Sequence, residues 1–322
     1  MSNSVWYSHF LRALYEKYPK KAQLTEALMD LLSIEREAIY RRLRKEVVFS
    51  AGDIAKIASA WNISLDNILS TVSEKNSSFQ MNALSFNDSS EKDLEMIENY
   101  LFNLREVAAS DASEYMEISN VLPKSLLENY PMLSKFYTFK WWYHYGNDGN
   151  NVCSFNQYTL AEKSLEFEAA YCKEIKNIAH CSYMWDDLII RHLVNDIKYL
   201  KSVYFLDAES VQLLKQEIYA FLDEMESLSI RGSFAETNNR VDLYISQINV
   251  DTNYCYYYSP MTNICGIRVF IEYFTSSENK LICDNFRKWM LAQKRVSIPI
   301  SQVNERQRIE FFIQQKKVLE NL

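Results

Sequence analysis

Between Leu24 and Lys45, two short stretches of helical periodicity abut across a single polar residue, Ser33. This restricts the region to two brief helices joined by a tight turn. Leu24, Leu28, Leu31 and Leu32 repeat at helical spacing before the break. After it, Ala38, Ile39 and Leu43 form a second inward stripe over residues 34–45, with Ser33 placed to cap its N-terminus. Glu35 and Glu37 near the start and Arg44 and Lys45 at the end suit the helix dipole.

The flanks extend the pattern. Trp6, Phe10, Ala13, Leu14 and Tyr18 fall on one face of a helix over 5–18, which Pro19 stops by forcing its predecessor out of the helical region. Ser50-Ala-Gly-Asp53 fits a capping box, and Ile54, Ile57, Ala58 and Trp61 follow as a core stripe. A short closing helix is expected over 64–69. The second short helix carries five basic residues (Arg36, Arg41, Arg42, Arg44, Lys45) against two acidic ones. Arg36, Glu37, Tyr40, Arg41 and Arg44 are left facing outward. A helix fits the major groove of DNA, where arginine reads guanine through two parallel hydrogen bonds. The plainer reading is a solvated basic face.

Leu24-Thr-Glu-Ala-Leu, Ser33-Ile-Glu-Arg-Glu-Ala-Ile-Tyr-Arg-Arg-Leu-Arg and Ile63-Ser-Leu-Asp-Asn-Ile resemble the lambda-repressor-like, or XRE-type, helix-turn-helix domain. Ala-Ile-Tyr-Arg-Arg-Leu-Arg-Lys-Glu followed by Phe49-Ser50 is similar to a bacterial variant described as BetR-like. The resemblance covers about a fifth of the chain and departs from the family in lacking a glycine at Leu32 or Ser33. It implies a recognition helix over 34–45, with Arg36, Glu37, Tyr40 and Arg41 near base edges. Arg44, Lys45 and Thr25 would contact phosphates and set register.

Charge divides the chain. Residues 1–75 carry 11 Lys or Arg against 9 Asp or Glu; the rest carries 24 against 33. An acidic remainder is repelled by DNA and suits an effector or oligomerisation role. Ser- and Asn-rich residues 71–90 read as a linker. The expected architecture is therefore mainly α: a four- or five-helix DNA-binding domain over 1–70, then a larger helical domain over 91–322. Only five glycines and five prolines in 322 residues favour long helices. Helices are expected at 91–110, 124–145, 158–181, 185–205, 208–229, 276–293 and 302–320. A small antiparallel sheet of about three strands is expected near 240–275, where apolar and polar residues alternate.

Tyr137, Trp141, Trp142 and Tyr145 belong to a dense aromatic run that would line a ligand pocket, form a dimer interface or fill a core. Cys172, His180, Cys181, Asp186, Asp187 and His192 make the best metal candidate, but no short-spaced ligand pair accompanies them, so they read as structural. No phosphate loop, Rossmann fingerprint or nucleophile elbow is present. The six cysteines form no C-x-x-C pair and read as reduced core residues. No apolar stretch approaches a membrane span, and Met1 to Phe10 lacks a basic segment followed by an apolar run, so no signal peptide is expected. The expectation is a cytoplasmic, non-enzymatic, homodimeric regulator that binds double-stranded DNA without a cofactor and answers to a small-molecule or protein effector. A protein-interaction scaffold and a small-molecule binding protein are the alternatives.

Overall fold

The computed structural model describes residues 3–61, 63–65, 68, 91–145, 153–269 and 273–322. The chain divides into two compact units, Met1–Ser78 and Phe79–Leu322. The expected linker at 71–90 and most of the expected closing helix lie outside the described residues.

Among the described residues of the first unit, four helices surround one apolar core: α1 (Asn3–Lys17), α2 (Lys21–Leu32), α3 (Arg36–Leu43) and α4 (Ala51–Ala60). Phe10, Leu14, Leu24, Leu28, Ile39 and Ile57 are all fully buried. These are residues of the apolar stripes read from sequence, as expected when burial of one face stabilises short helices. Phe49 packs edge-on against Phe10, with ring centroids 6.2 Å apart. The capping box forms: the Asp53 amide donates to Ser50 Oγ and the Ser50 amide to Asp53 Oδ2, each at 3.1 Å. Tyr7 ties α1 to α3 and to the segment before α4. Its hydroxyl donates to the Arg42 carbonyl at 3.2 Å and accepts from the Phe49 amide at 3.3 Å.

The turn between α2 and α3 differs from expectation. Ser33 does not cap α3; it closes α2 in the left-handed conformation (φ 54°, ψ 45°), its amide donating to the Met29 carbonyl at 2.8 Å. Glu35 is the residue that precedes α3, with no side-chain cap. With only three residues to reverse the chain, the backbone must turn at once, and that need outweighs the serine's preference for a cap. The end of α3 is built likewise. Lys45 (φ 66°) lets its own amide reach the Arg42 carbonyl and the Glu46 amide reach Arg41, so α3 ends at Leu43 rather than Lys45. Glycine adopts this conformation without the steric penalty of a side chain. Ser33→Gly is therefore expected to stabilise the first unit by about 0.5–1 kcal/mol in chemical unfolding. Loss of stability would refute the assignment.

The second unit is larger and contains more sheet than expected. Its order is α5 (Glu91–Ala108), β1 (Glu114–Ser119), a short 3-10 turn (Lys124–Leu126), α6 (Pro131–Tyr145), α7 (Glu162–Asn177), β2 (His180–Asp186), α8 (Ile189–Ser202), α9 (Ala208–Arg231), β3 (Arg240–Ser246), β4 (Tyr254–Tyr258), β5 (Asn263–Val269), β6 (Tyr273–Ser277), α10 (Lys280–Val296), β7 (Ile298–Pro299) and α11 (Glu305–Leu319). The small three-stranded antiparallel sheet is corrected to a seven-stranded mixed sheet in the order β6-β5-β4-β1-β2-β3-β7. β1, β2 and β3 run parallel, and β4 joins β1 antiparallel.

β1 and β2 escape detection for a physical reason. Both are covered on both faces, so neither shows the alternation of a half-exposed strand. β2 also falls where two helices were expected to end and begin. On one face, Tyr115, Tyr183, Trp185, Leu243 and Tyr257 meet the layer formed by α6–α9 and α11. On the other, Met116, Ile118, Met184, Tyr256 and Cys265 meet Cys283 and Met290 of α10.

Candidate nucleic-acid interface

Helix α3 positions the expected site. Ile39 and Leu43 are buried, which fixes the rotation of the helix and turns Arg36, Glu37, Arg41 and Arg44 to solvent. Lys45 follows at the turn, also exposed, its Nζ donating to Ser8 Oγ at 2.8 Å. Tyr40 is half-buried, with the Lys21 ammonium 5.3 Å from its ring centroid. The three arginines are each just over half exposed, and each has a glutamate neighbour. Arg36 lies 3.7 Å from Glu26, Arg41 3.6 Å from Glu46, and Arg44 3.3 Å from Glu37 and 3.4 Å from Glu46. Surface pairs of this kind hold their partners by no more than about 1 kcal/mol. A phosphate or a base edge can therefore take a glutamate's place.

Two basic or polar residues of the region stand apart. Arg42 is turned back into the domain, donating to the Ala38 carbonyl at 3.1 Å with its guanidinium 5.7 Å from the Phe49 ring centroid. Thr25 is buried, and its hydroxyl donates to the Lys21 carbonyl at 2.8 Å. That position does not suit a phosphate contact, so the outward set is Arg36, Glu37, Tyr40, Arg41, Arg44 and Lys45.

In the second unit, the aromatic run on α6 forms a core. Tyr137 is buried and its hydroxyl accepts the Leu122 amide at 3.2 Å. Trp142 stacks on Phe139 with centroids 5.5 Å apart, and Phe139 also meets Phe155, Tyr158 and Phe205. Trp141 is half-buried, and the side chain of Tyr145 lies outside the described residues. A cleft of about 40 Å³ elsewhere in this unit is bordered by Leu126, Lys176, Leu228 and Phe234 and by no aromatic residue of α6. That is room for a few waters at most.

The residues weighed as metal ligands are dispersed. Cys172 Sγ donates to the Lys124 carbonyl at 3.3 Å. Asp186 accepts the amides of Leu188 at 2.8 Å and Val250 at 2.9 Å, joining the ends of β2 and β3. Among the described residues, no group of three or more His, Cys, Asp or Glu side chains is placed to hold a metal.

Two polar networks, each drawing on residues of more than one element, were not read from the sequence. Under α10, Asp242 accepts from His180 Nε2 at 2.9 Å and from Arg240 at 3.0 Å, while Lys294 Nζ lies 3.7 Å away and donates to Ser182 Oγ at 3.0 Å. Burial pushes the Asp242 carboxyl up, but the bonds from His180 and Arg240 and the charge of Lys294 outweigh it and hold the pKa at about 2. On the opposite face of the sheet, buried Glu117 accepts from Tyr115 at 2.6 Å. Burial raises its carboxyl above the usual range, against the Tyr115 bond and the charge of Arg268.

Comparison with protein-family models, with curated proteins and with solved structures finds no match for this chain.

Proposed function

We propose that this chain is a sequence-specific DNA-binding regulator whose first unit reads the major groove with α3. The observation that carries the proposal is the outward face of α3. Arg36, Arg41 and Arg44 are exposed on a helix fixed by a buried stripe, held only by weak surface pairs. The order α2, tight turn, α3 supports it, as does the resemblance of these segments to lambda-repressor-like helix-turn-helix domains. In this reading Arg36, Glu37, Tyr40 and Arg41 face base edges, and Arg44 and Lys45 face phosphates. The acidic second unit serves dimerisation and effector response, and a dimer would place its half-sites about 10 bp apart or at a multiple of that spacing.

One observation favours a second reading. The glutamates beside all three arginines give the face a mixed charge pattern suited to a protein partner. Selection of bound sequences from a random pool of duplex DNA, followed by titration of the selected duplex at increasing salt, separates the two. A regulator enriches a defined sequence and loses affinity steeply with salt, because bound counterions are released from the duplex. No enrichment, with a flat salt response, leaves the protein-interaction reading.

A further inference from the structure

Cys265 on β5 and Cys283 on α10 are both fully buried, and their sulfurs stand 3.6 Å apart. They converge on one backbone oxygen. Cys283 Sγ donates to the Ser277 carbonyl at 3.2 Å, and Cys265 Sγ lies 3.7 Å from the same oxygen. The two residues are 18 positions apart, and β6 lies between them. The other four cysteines are placed differently: Cys172 and Cys181 donate to main-chain carbonyls, Cys255 is buried on the opposite face of the sheet, and Cys153 is half-exposed.

The geometry points to Cys265 and Cys283 as a site of reversible oxidative modification, at which a hydroperoxide closes a disulfide between β5 and α10. One thiolate attacks the peroxide oxygen, giving a sulfenic acid and releasing hydroxide. The second thiol then displaces the sulfenic oxygen as water, forming the S–S bond. In sum, two thiols and one hydrogen peroxide yield one disulfide and two waters. Closing the bond requires the sulfurs to approach from 3.6 Å to the covalent distance of about 2.05 Å. Access comes from the position of β6. It is the edge strand of the sheet, held by β5 alone, and such edges open locally at lower free energy than central strands. When β6 lifts, the carbonyl that holds both thiols leaves with it. The closed disulfide then pins the β5–β6 hairpin to α10 and constrains the unfolded chain.

The test uses the full chain, exposed to hydrogen peroxide under native conditions with its fold followed by circular dichroism. It is then alkylated and digested with trypsin without reductant. The expected product joins the peptide of residues 241–268 to that of residues 281–287, lighter than the two together by two hydrogen atoms and separated by dithiothreitol. The first peptide also contains Cys255, so fragmentation must place the link on Cys265. Cys255→Ala should retain the cross-link and Cys265→Ala should abolish it. A link to Cys255 would overturn the assignment. So would over-oxidation of either thiol without a link, or reaction at Cys153 alone while the fold persists. Because the unaltered chain gives the decisive peptide, a variant that fails to fold leaves the result intact.

Discussion

Replacing Arg41 and Arg44 together with alanine is expected to weaken binding of the selected duplex about 100-fold, or roughly 3 kcal/mol. The two side chains would do different work. Arg41 lies in the last turn of α3, exposed on the outward face, and in the proposed reading its guanidinium meets a base edge. Arg44 is at the C-terminal end of α3, where a phosphate is the natural partner. The double variant should therefore bind more weakly, discriminate less at one base pair and show a shallower salt slope by about one phosphate contact. Neither residue supports the core, since both are exposed and paired only with glutamates at 3.3–3.6 Å. Thermal unfolding should be unchanged, which separates loss of binding from loss of fold. Arg42→Ala should show the reverse pattern, because its guanidinium packs on Phe49 inside the domain. Fluorescence anisotropy with a labelled duplex measures the binding, and unaltered affinity in the double variant would exclude α3 as the reading helix.

Asp242→Ala is expected to destabilise the second unit by about 3 kcal/mol, because it removes the carboxylate that pairs the partly buried His180 and Lys294. Lys294 is the critical one. It projects from α10 with its ammonium 4.8 Å from the Tyr244 ring centroid, and burial already lowers its pKa despite the attraction of Asp242. Without that carboxylate, the ammonium keeps Ser182 Oγ, the ring face and the more distant charge of Glu114. The same residue sets an acid limb. The folded Asp242 carboxyl has a pKa of about 2, below the ordinary aspartate value of about 3.9, so its ionised form stabilises the fold. That contribution, about 2 kcal/mol, is fully present above pH 4 and is lost as pH falls through 2. Urea unfolding between pH 2 and 7 should show the parent losing stability in that window, with the alanine variant flatter across it. Identical slopes would remove Asp242 from the acid response.

The legible parts of the chain are those where one local signal decides the outcome. Trp6, Phe10 and Leu14 give a helix because one face is apolar and the other is not. Ser50 and Asp53 cap α4 because the two bonds are reciprocal and local. The alternation over 241–250 and the β-rich runs after it mark this region as sheet, although they read as about three strands where the structure has four, β3–β6. What stays hidden depends on tertiary surroundings. Glu114-Tyr-Met-Glu-Ile-Ser has no strand signature until helices cover both its faces, and Ser33 closes α2 only because α3 must begin three residues later. In the expected interface, the identity of the outward residues is readable from period alone. The pairing of Arg36 with Glu26, and the inward turn of Arg42 onto Phe49, are not, since they depend on residues of other segments.

The strand order β6-β5-β4-β1-β2-β3-β7 also governs the sequence of events during synthesis. β1 is made early yet lies between β2 and β4, and the Asn120 amide meets Asn253 Oδ1 across 133 positions of chain. The edge of β1 that faces β4 stays unpaired until the ribosome has passed residue 258. The first unit, by contrast, draws its contacts from within some 70 residues and can form while most of the second is still being translated. Contacts this distant slow folding and leave a β edge open to other chains. Aggregation of a truncated nascent chain should therefore rise sharply for stops between β3 and β4, and fall once β4 is complete.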